Sequence, residues 1–580
     1  MRIDQLALIP VYVAAGTALL ALLVDLLVPG RRGAVIGATA LGMAGTAGAA
    51  IAVGSGGAHR ASFCLGPDQC SLVLDPAAAI VAGVFAALAL GALALSVPLL
   101  RTGEVPAGEY CFLLASSLVG AVVLGGARDL ITLIVALETL TLPLYLLVGL
   151  RRGAREGASA AVTFFVVSVV STAVALLGAA LVFTATGGVH FANIAAGSLT
   201  PATQPLLKVG VVLLLTGLAF KVAAVPAHAW APATYDGAPL PVAAYLSTAS
   251  KLGGVVALLL VGVSAARPVL STSGLTLAVL AVLSMTVGNL VALRQRRMVR
   301  LLAWSSVAQA GYLLAPLGAL IATDDKTSLL VAGVVGYAFF YVVLEFAAFG
   351  AVVAVRGARD GGAIEEYRGL ARRSPWFAGV LVLALAGLAG LPPGLAGLFA
   401  KVAVVRALLG GDATWLAVVV AVNAVIGLAY YVRVGAVLFA PAEPAVGTRA
   451  ATGEPAMETR AATDEPPAET HVATDEPAME THAATDEPAV GTRAAPGEVV
   501  VGAGAARGEG LVGVGAAREE VAVGAGAAIA EGRIGDGAAA EGLRERVAWP
   551  VVVSVAVAVV VAVLVGFVPE LVMRAAGTFG

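Results

Sequence analysis

Apolar runs of about twenty residues, broken by short loops that carry most of the charge, recur through residues 1–440 and once more after residue 547. At about 1.5 Å of rise per residue, a helix of roughly twenty residues crosses the hydrocarbon layer of a bilayer. Read in order, the runs predict about fourteen spans, near 5–28, 33–54, 77–100, 108–125, 129–150, 159–184, 206–226, 240–262, 272–292, 299–321, 327–355, 376–408, 413–439 and 548–568. A helix closes its own backbone hydrogen bonds, as a membrane interior demands, so the expected fold is an all-α polytopic membrane protein. Little positive charge precedes the first run and no small-residue cleavage site ends it, so it is read as a retained span.

Composition agrees with the pattern: 580 residues, 59% hydrophobic and 12% charged, with mean hydropathy +0.95. The net charge of -2 says little, and no nucleic-acid partner is expected. Charge placement says more. Loops after odd-numbered spans hold Arg31, Arg32, Arg101, Arg151, Arg152, Arg155, Arg294, Arg296, Arg297, Arg300, Arg356, Arg359, Arg368, Arg372 and Arg373, whereas the even loops have only Arg60, Arg128, Arg267 and Lys326. The positive-inside rule then makes the odd loops cytoplasmic and puts both termini outside, for a multi-pass protein of the inner (plasma) membrane. Cys64 and Cys70 fall in an outer, oxidising loop, as a local disulfide or as two free thiols. Cys111, alone in the fourth span, reads as a small packing residue.

After Ala440 the pattern stops, which divides the chain into a transmembrane domain over 1–440, an insert over 441–546 and a last span with the C-terminus over 547–580. The insert opens on an eleven-residue repeat, EPAVGTRAATG, EPAMETRAATD, EPPAETHVATD, EPAMETHAATD and EPAVGTRAAPG. An eleven-residue period suits a helical supercoil, but Pro444, Pro455, Pro466, Pro477 and Pro488 interrupt it at one phase, so disorder on the cytoplasmic side is expected. A weak amphipathic helix near 538–547 is the exception. His471 and His482 lie one repeat apart, and two histidines without further ligands read as solvated repeat rather than as a metal site.

Three lysines interrupt otherwise apolar spans: Lys221, Lys251 and Lys401. Each costs about 3 kcal/mol near a bilayer centre, and together about 9 kcal/mol, comparable with the net stability of a domain. Pro226 follows Lys221 and the LPPG at Leu391 to Gly394 precedes Lys401, so two spans are expected to be broken, one in each half, the pattern of two inverted repeats with sites at their centres. Such ends sit at membrane depth only where protein covers them or water fills a cavity. Glu138 has apolar neighbours on both sides, and a partner from another helix is expected, with Lys221 the first choice. The plainer alternatives are snorkelling lysines and a fixed structural ion pair.

Five segments carry a family resemblance: ETLTLPLYLLVGLRR around Glu138, FKVAAVPAHAWAPATYDGAP with STASK through Lys221 and Lys251, RLLAWSSVAQAGYLL, GLPPGLAGLFAK to Lys401, and LAYYVRV through Arg433. Together they resemble the antiporter-like membrane subunits of proton-pumping NADH:quinone oxidoreductase, respiratory complex I. The lysine closing the LPPG segment is similar to subunit N, since subunit M carries glutamate there and subunit L continues into a long lateral helix. The resemblance implies that Glu138 modulates Lys221, that Lys251 relays protons across the middle and that Lys401 hands them to the outer side. His228 is either a relay group or a hydrogen-bonded structural histidine. It further implies other complex I membrane subunits, lipid and protons as partners, no cofactor in this chain, and NAD, FMN, iron-sulfur clusters and quinone in partner subunits.

Departures accompany it. Ala231, Pro232 and Ala233 stand where relatives usually read TPD, and Gln309 stands where many have histidine. Glu345 is an acid inside the eleventh span that either adds a site or pairs with a nearby cation. Two rival readings share the motifs: a subunit of a cation/proton antiporter or membrane-bound hydrogenase, and a non-pumping structural subunit.

Overall fold

The computed structural model describes residues 2–55, 59–66, 69–151, 153–197, 199–320, 326–441 and 547–576. Fourteen helical crossings run in chain order: α1 (Ile9–Leu27), α2 (Arg32–Gly54), α3 (Pro76–Thr102), α4 (Ala107–Gly126), α5 (Leu130–Gly149), α6 (Arg155–Thr186), α7 (Thr203–Val222), α8 (Leu240–Ala265), α9 (Arg267–Ala292), α10 (Met298–Gly318), α11 (Thr327–Arg356), α12 (Pro375–Ala389 and, after a break, Leu395–Gly410), α13 (Thr414–Phe439) and α14 (Trp549–Phe567). Twelve of them are long and apolar enough to cross a membrane unbroken. The other two are α10, whose polar residues lower its hydropathy, and the divided α12. Twelve of the fourteen expected spans are thus found among the described residues as apolar helices of membrane-spanning length, in the expected order.

Sequence-local rules fix several starts. Asp75 accepts from Ala78 N at 2.7 Å and Asp129 from Thr132 N at 2.7 Å, so acidic caps satisfy amides that open α3 and α5. Arg128 then ties its neighbour's helix to the first cap, with Nη2 2.6 Å from Asp75 Oδ2.

Burial sorts the helices into an inner and an outer set. α4, α8, α10 and α11 are buried along most of their length, whereas α1, α2, α6 and α14 present apolar faces outward, with Leu26, Leu41, Phe165 and Val557 exposed. An apolar exterior around a more polar interior is the arrangement a hydrocarbon solvent selects.

Three features were not in the sequence pattern. A short antiparallel hairpin, β1 (Arg60–Cys64) with β2 (Cys70–Leu74), joins α2 to α3, and Cys64 is bridged to Cys70, which decides between the two states left open for these thiols. Short helices at Phe191–Ala196 and Trp230–Gly237 fill what read as loop. Two π-helical segments, Leu246–Ser250 and Leu260–Ala265, interrupt α8. The repeat region and most of the helix expected near 538–547 lie outside the described residues.

Candidate functional site

Glu138, Thr141 and Tyr145 occupy positions i, i+3 and i+7 of α5 and so share one face. Ser168 and Thr172, four apart on α6, face them. Into this polar patch comes Lys221, whose Nζ donates to Glu138 Oε1 at 2.9 Å, Thr141 Oγ1 at 3.1 Å and Ser168 Oγ at 3.3 Å. All three ammonium donors therefore have acceptors. Thr172 Oγ1 donates to the same carboxylate oxygen at 2.7 Å, and the Tyr145 hydroxyl bonds Ser168 and reaches Glu138 Oε2 at 3.5 Å. The lysine is buried, whereas the Glu138 side chain is 30% exposed on the flank of the bundle.

Lys221 reaches this patch because α7 ends there. Its last turn tightens to a 3-10 helix over Phe220–Val222, and Ala223 takes a left-handed conformation with φ of 57°, which a side chain adopts only at a cost of about 1–2 kcal/mol. The freed groups are met by protein. Trp230 Nε1 donates to Phe220 O at 3.1 Å, Val225 N donates to Ser284 Oγ at 2.9 Å, and the indole stacks on Phe164 with centroids 4.4 Å apart. Gly254 of α8 lies against Lys221, where a Cβ would fall 2.8 Å from the lysine Cβ.

Lys251 sits immediately after the first π-helical segment of α8, fully buried, and its Nζ donates to Ser306 O at 2.6 Å and Ser306 Oγ at 2.8 Å on α10. A π turn leaves carbonyls without their usual partner, and such turns gather at functional sites. One of them, Ser247 O, accepts from the Tyr341 hydroxyl at 2.7 Å.

Lys401 caps the other break. The first half of α12 ends at Gly390 with φ of 82°, and Leu391 N turns back to Ala386 O at 2.9 Å. Lys401 Nζ donates to Ala389 O at 2.7 Å, the negative end of that half-helix, and lies 5.1 Å from the centre of the Tyr312 ring. Lys401 also lines a groove of about 730 Å³ that opens on the bundle surface beside Leu329, Arg406 and Val420.

Between Lys251 and Lys401 stand hydroxyls and one amide. Ser305, next to the serine that holds Lys251, bonds the Tyr431 hydroxyl at 2.5 Å. Gln309 Nε2 donates to Tyr431 at 3.0 Å and to Leu388 O at 3.2 Å, one residue before the carbonyl that Lys401 caps, and the Tyr337 hydroxyl bonds Gln309 Oε1. The glutamine found in place of histidine thus joins α10, α11, α12 and α13.

Of the five residues singled out by sequence, the structure bonds Glu138 to Lys221 directly and places Lys251 and Lys401 at either end of the Ser305–Tyr431–Gln309 chain. His228 stands apart: its Nδ1 lies 3.1 Å from Pro226 O in the break after α7, and its ring packs on Trp304 with centroids 5.2 Å apart. Among the described residues no hydrogen bond joins it to a lysine. The residues that sequence reasoning passed over are hydroxyls, above all Thr141, Ser168, Thr172, Ser306 and Tyr431. Only Thr141 carried a signal, one helical turn from Glu138; the others sit on different helices from the charges they serve. No cluster of three or more His, Cys, Asp or Glu suited to a metal occurs among the described residues.

Comparison with known proteins places this geometry in a family. A family model described as NADH:quinone oxidoreductase/Mrp antiporter, TM, matches residues 127–427, which contain all five of the residues just discussed. The chain is 63% identical over 454 residues to NADH-quinone oxidoreductase subunit N of Salinispora tropica, covering 77% of this chain and 87% of that relative. In structure it is similar to a chain of respiratory complex I from Thermus thermophilus, with a TM-score of 0.62 and 31% identity over 75% of this chain and 91% of that one. It shares its fold with a chain of the Mrp complex from Dietzia sp., with a TM-score of 0.66 and 23% identity over 76% of this chain and 81% of that one. On these matches the chain belongs to the NADH:quinone oxidoreductase/Mrp antiporter family of membrane subunits, among the relatives named subunit N.

Proposed function

We propose that the chain is a proton-translocating membrane subunit of NADH:quinone oxidoreductase, in which Glu138, Lys221, Lys251 and Lys401 pass protons through the bundle while the redox chemistry takes place in other subunits. The observation that carries this reading is the buried Lys221 Nζ held 2.9 Å from Glu138 Oε1 beside a broken helix. A paired ammonium and carboxylate form the stable resting state. Moving the glutamate or its surroundings weakens the pair and drives the lysine to release its proton. Lys251 then receives protons from the α7 side and passes them, through Ser305, Tyr431, Gln309 and intervening water, to Lys401 at the second break. His228, hydrogen-bonded within its own turn, takes a structural part or a peripheral relay part.

NAD, FMN, iron-sulfur clusters and quinone belong, on this reading, to partner subunits, and the driving event reaches this chain through neighbouring membrane subunits. The membrane is the inner (plasma) membrane, with both termini outside and the 441–546 insert in the cytoplasm. The Cys64–Cys70 bridge supports that orientation, because it lies in a loop the arginine distribution assigns to the oxidising side.

The test replaces Lys221 and Lys401 singly by alanine in the assembled complex and measures protons moved per electron transferred. Both variants are expected to assemble and to lose proton movement. Normal pumping by either assembled variant overturns the reading in favour of a structural subunit. Copurification with subunits that oxidise NADH separates it from a cation/proton antiporter, whose variants would instead alter sodium-dependent growth.

A further inference from the structure

The pathway above leaves one buried ionisable group unused. Glu345, in the middle of α11, is fully buried, and neither of its carboxylate oxygens has a hydrogen-bond partner among the described residues. The other buried acid among the described residues, Asp129, is bonded by Thr132, and the half-buried Glu138 is held by Lys221 and Thr172. Glu345 lacks such support yet lies within electrostatic range of Lys251. The remaining titratable groups that interact with it are hydroxyls on the surrounding elements: Tyr235 on Trp230–Gly237, Tyr341 one turn earlier on α11, and Tyr431 on α13. The Tyr235 hydroxyl lies near Ser306, the residue that holds Lys251, and is itself buried without a hydrogen-bond partner among the described residues.

Orphaned buried polar atoms in such number mark a place where water completes the bonding, since each such group is costly to leave unpaired. No direct hydrogen bond joins Glu345 to Lys251, whose Nζ is turned to Ser306, so contact between the two needs an intermediary. We propose that Glu345 is a proton-binding residue of the translocation path, opposed to Lys251 across internal water. In the step it performs, a proton leaves the Glu345 carboxyl, passes along the water, and binds the Lys251 amine. A neutral acid and a neutral amine become a carboxylate and an ammonium facing each other. The reverse transfer, or release of the lysine's proton toward Gln309 and Lys401, resets the pair. The assignment gives Lys251, at the middle of the bundle, an acid of its own on α11, as Glu138 partners Lys221. It rests on the reading of the lysines as proton carriers.

The test uses the complete complex in sealed vesicles with Glu345→Gln, Glu345→Asp and Lys251→Met, and Lys221→Ala as reference. Two quantities are read: protons moved per electron, and the carboxylic C=O stretch in pH-difference infrared spectra. Glu345→Gln is expected to slow proton-coupled turnover on the order of a hundredfold, the lower end of what a positioned proton carrier supplies, and to remove one carboxylic band. Glu345→Asp is expected to restore part of both, and Lys251→Met to shift that band without removing it. If Glu345→Gln does not assemble, the band shift in Lys251→Met decides the matter alone. An assembled Glu345→Gln complex that pumps normally with an unchanged carboxylic region, or a Lys251→Met complex with no shift, overturns the proposal. Normal pumping by Lys221→Ala would instead overturn the broader reading and leaves the infrared result standing by itself.

Discussion

A lysine within a membrane span persists where its donors find acceptors, and the three here find them in different ways. Lys221 has a carboxylate and two hydroxyls, Lys251 has one serine, and Lys401 has the end of a helix and an aromatic face. The first is the strongest pairing, because only there does the lysine meet a carboxylate, which adds attraction between opposite charges to the hydrogen bond. Thr172 tunes it from the carboxylate side. Thr172→Val should cost the pair about 1 kcal/mol, the net value of a hydrogen bond, and so slow proton-coupled turnover about fivefold, with electron transfer and assembly unchanged. Equal turnover in the variant, measured in sealed vesicles, would remove Thr172 from the mechanism. The charged residues themselves were legible in the sequence, because their type and their apolar surroundings mark them at once. The hydroxyls were not, since serine and threonine are tolerated throughout membrane helices and only contact with a charge sets some of them apart.

At the scale of elements, two breaks bring the lysines to helix ends. Pro226 and the LPPG segment announced both, because proline removes a donor and clashes with the preceding turn. What closes each break could not be read from proline alone. After α7 an indole and a serine take up the free backbone groups, while in α12 the lysine itself does so. Gly390 makes the second closure feasible: its φ of 82° disfavours any side chain, and a Cβ there would lie 2.7 Å from Lys401 Cδ. Gly390→Ala is therefore expected to destabilise the assembled complex by about 1–2 kcal/mol from the left-handed backbone alone, read as a lower melting temperature, and to reduce pumping by displacing Lys401. An unchanged melting temperature would contradict the conformational argument. The π segment that precedes Lys251 escaped the sequence reading, since an extra residue in one turn leaves no compositional mark.

Across the whole molecule, loops distant in sequence are clamped at the arginine-rich face. Arg297 bonds Asp236 at 2.9 Å and Asp360 at 3.0 Å, and Arg356 bonds Asp360 at 3.0 Å and Glu366 at 2.6 Å. The Ala363 backbone N–H and the Arg356 guanidinium hold the Glu366 carboxyl below its ordinary value. Burial alone would raise Asp360, but its bonds to Arg356 and Arg297 outweigh that and hold it below as well. Both shifts are downward, so the stabilisation is complete above the unfolded-state values, about 3.9 for Asp and 4.3 for Glu, and is lost as pH falls through the lower folded values. Melting of the assembled complex should accordingly change little between neutral pH and about pH 5 and fall below it. Glu366→Gln should narrow the difference between neutral and acidic conditions, only modestly because the side chain is about half exposed. A difference as large as that of the unaltered protein would assign the acid sensitivity to other groups. By itself the sequence determined the membrane class, the order of fourteen crossings, the two breaks and the charged residues, because hydropathy, proline and buried charge act within one segment. Only the tertiary structure decided that Glu138 meets Lys221 across 83 positions, that hydroxyls stand between Lys251 and Lys401 and that Glu345 has no hydrogen-bond partner among the described residues. Contacts between helices depend on how each is rotated about its axis, and nearly uniform apolar faces leave that rotation unspecified until the bundle packs.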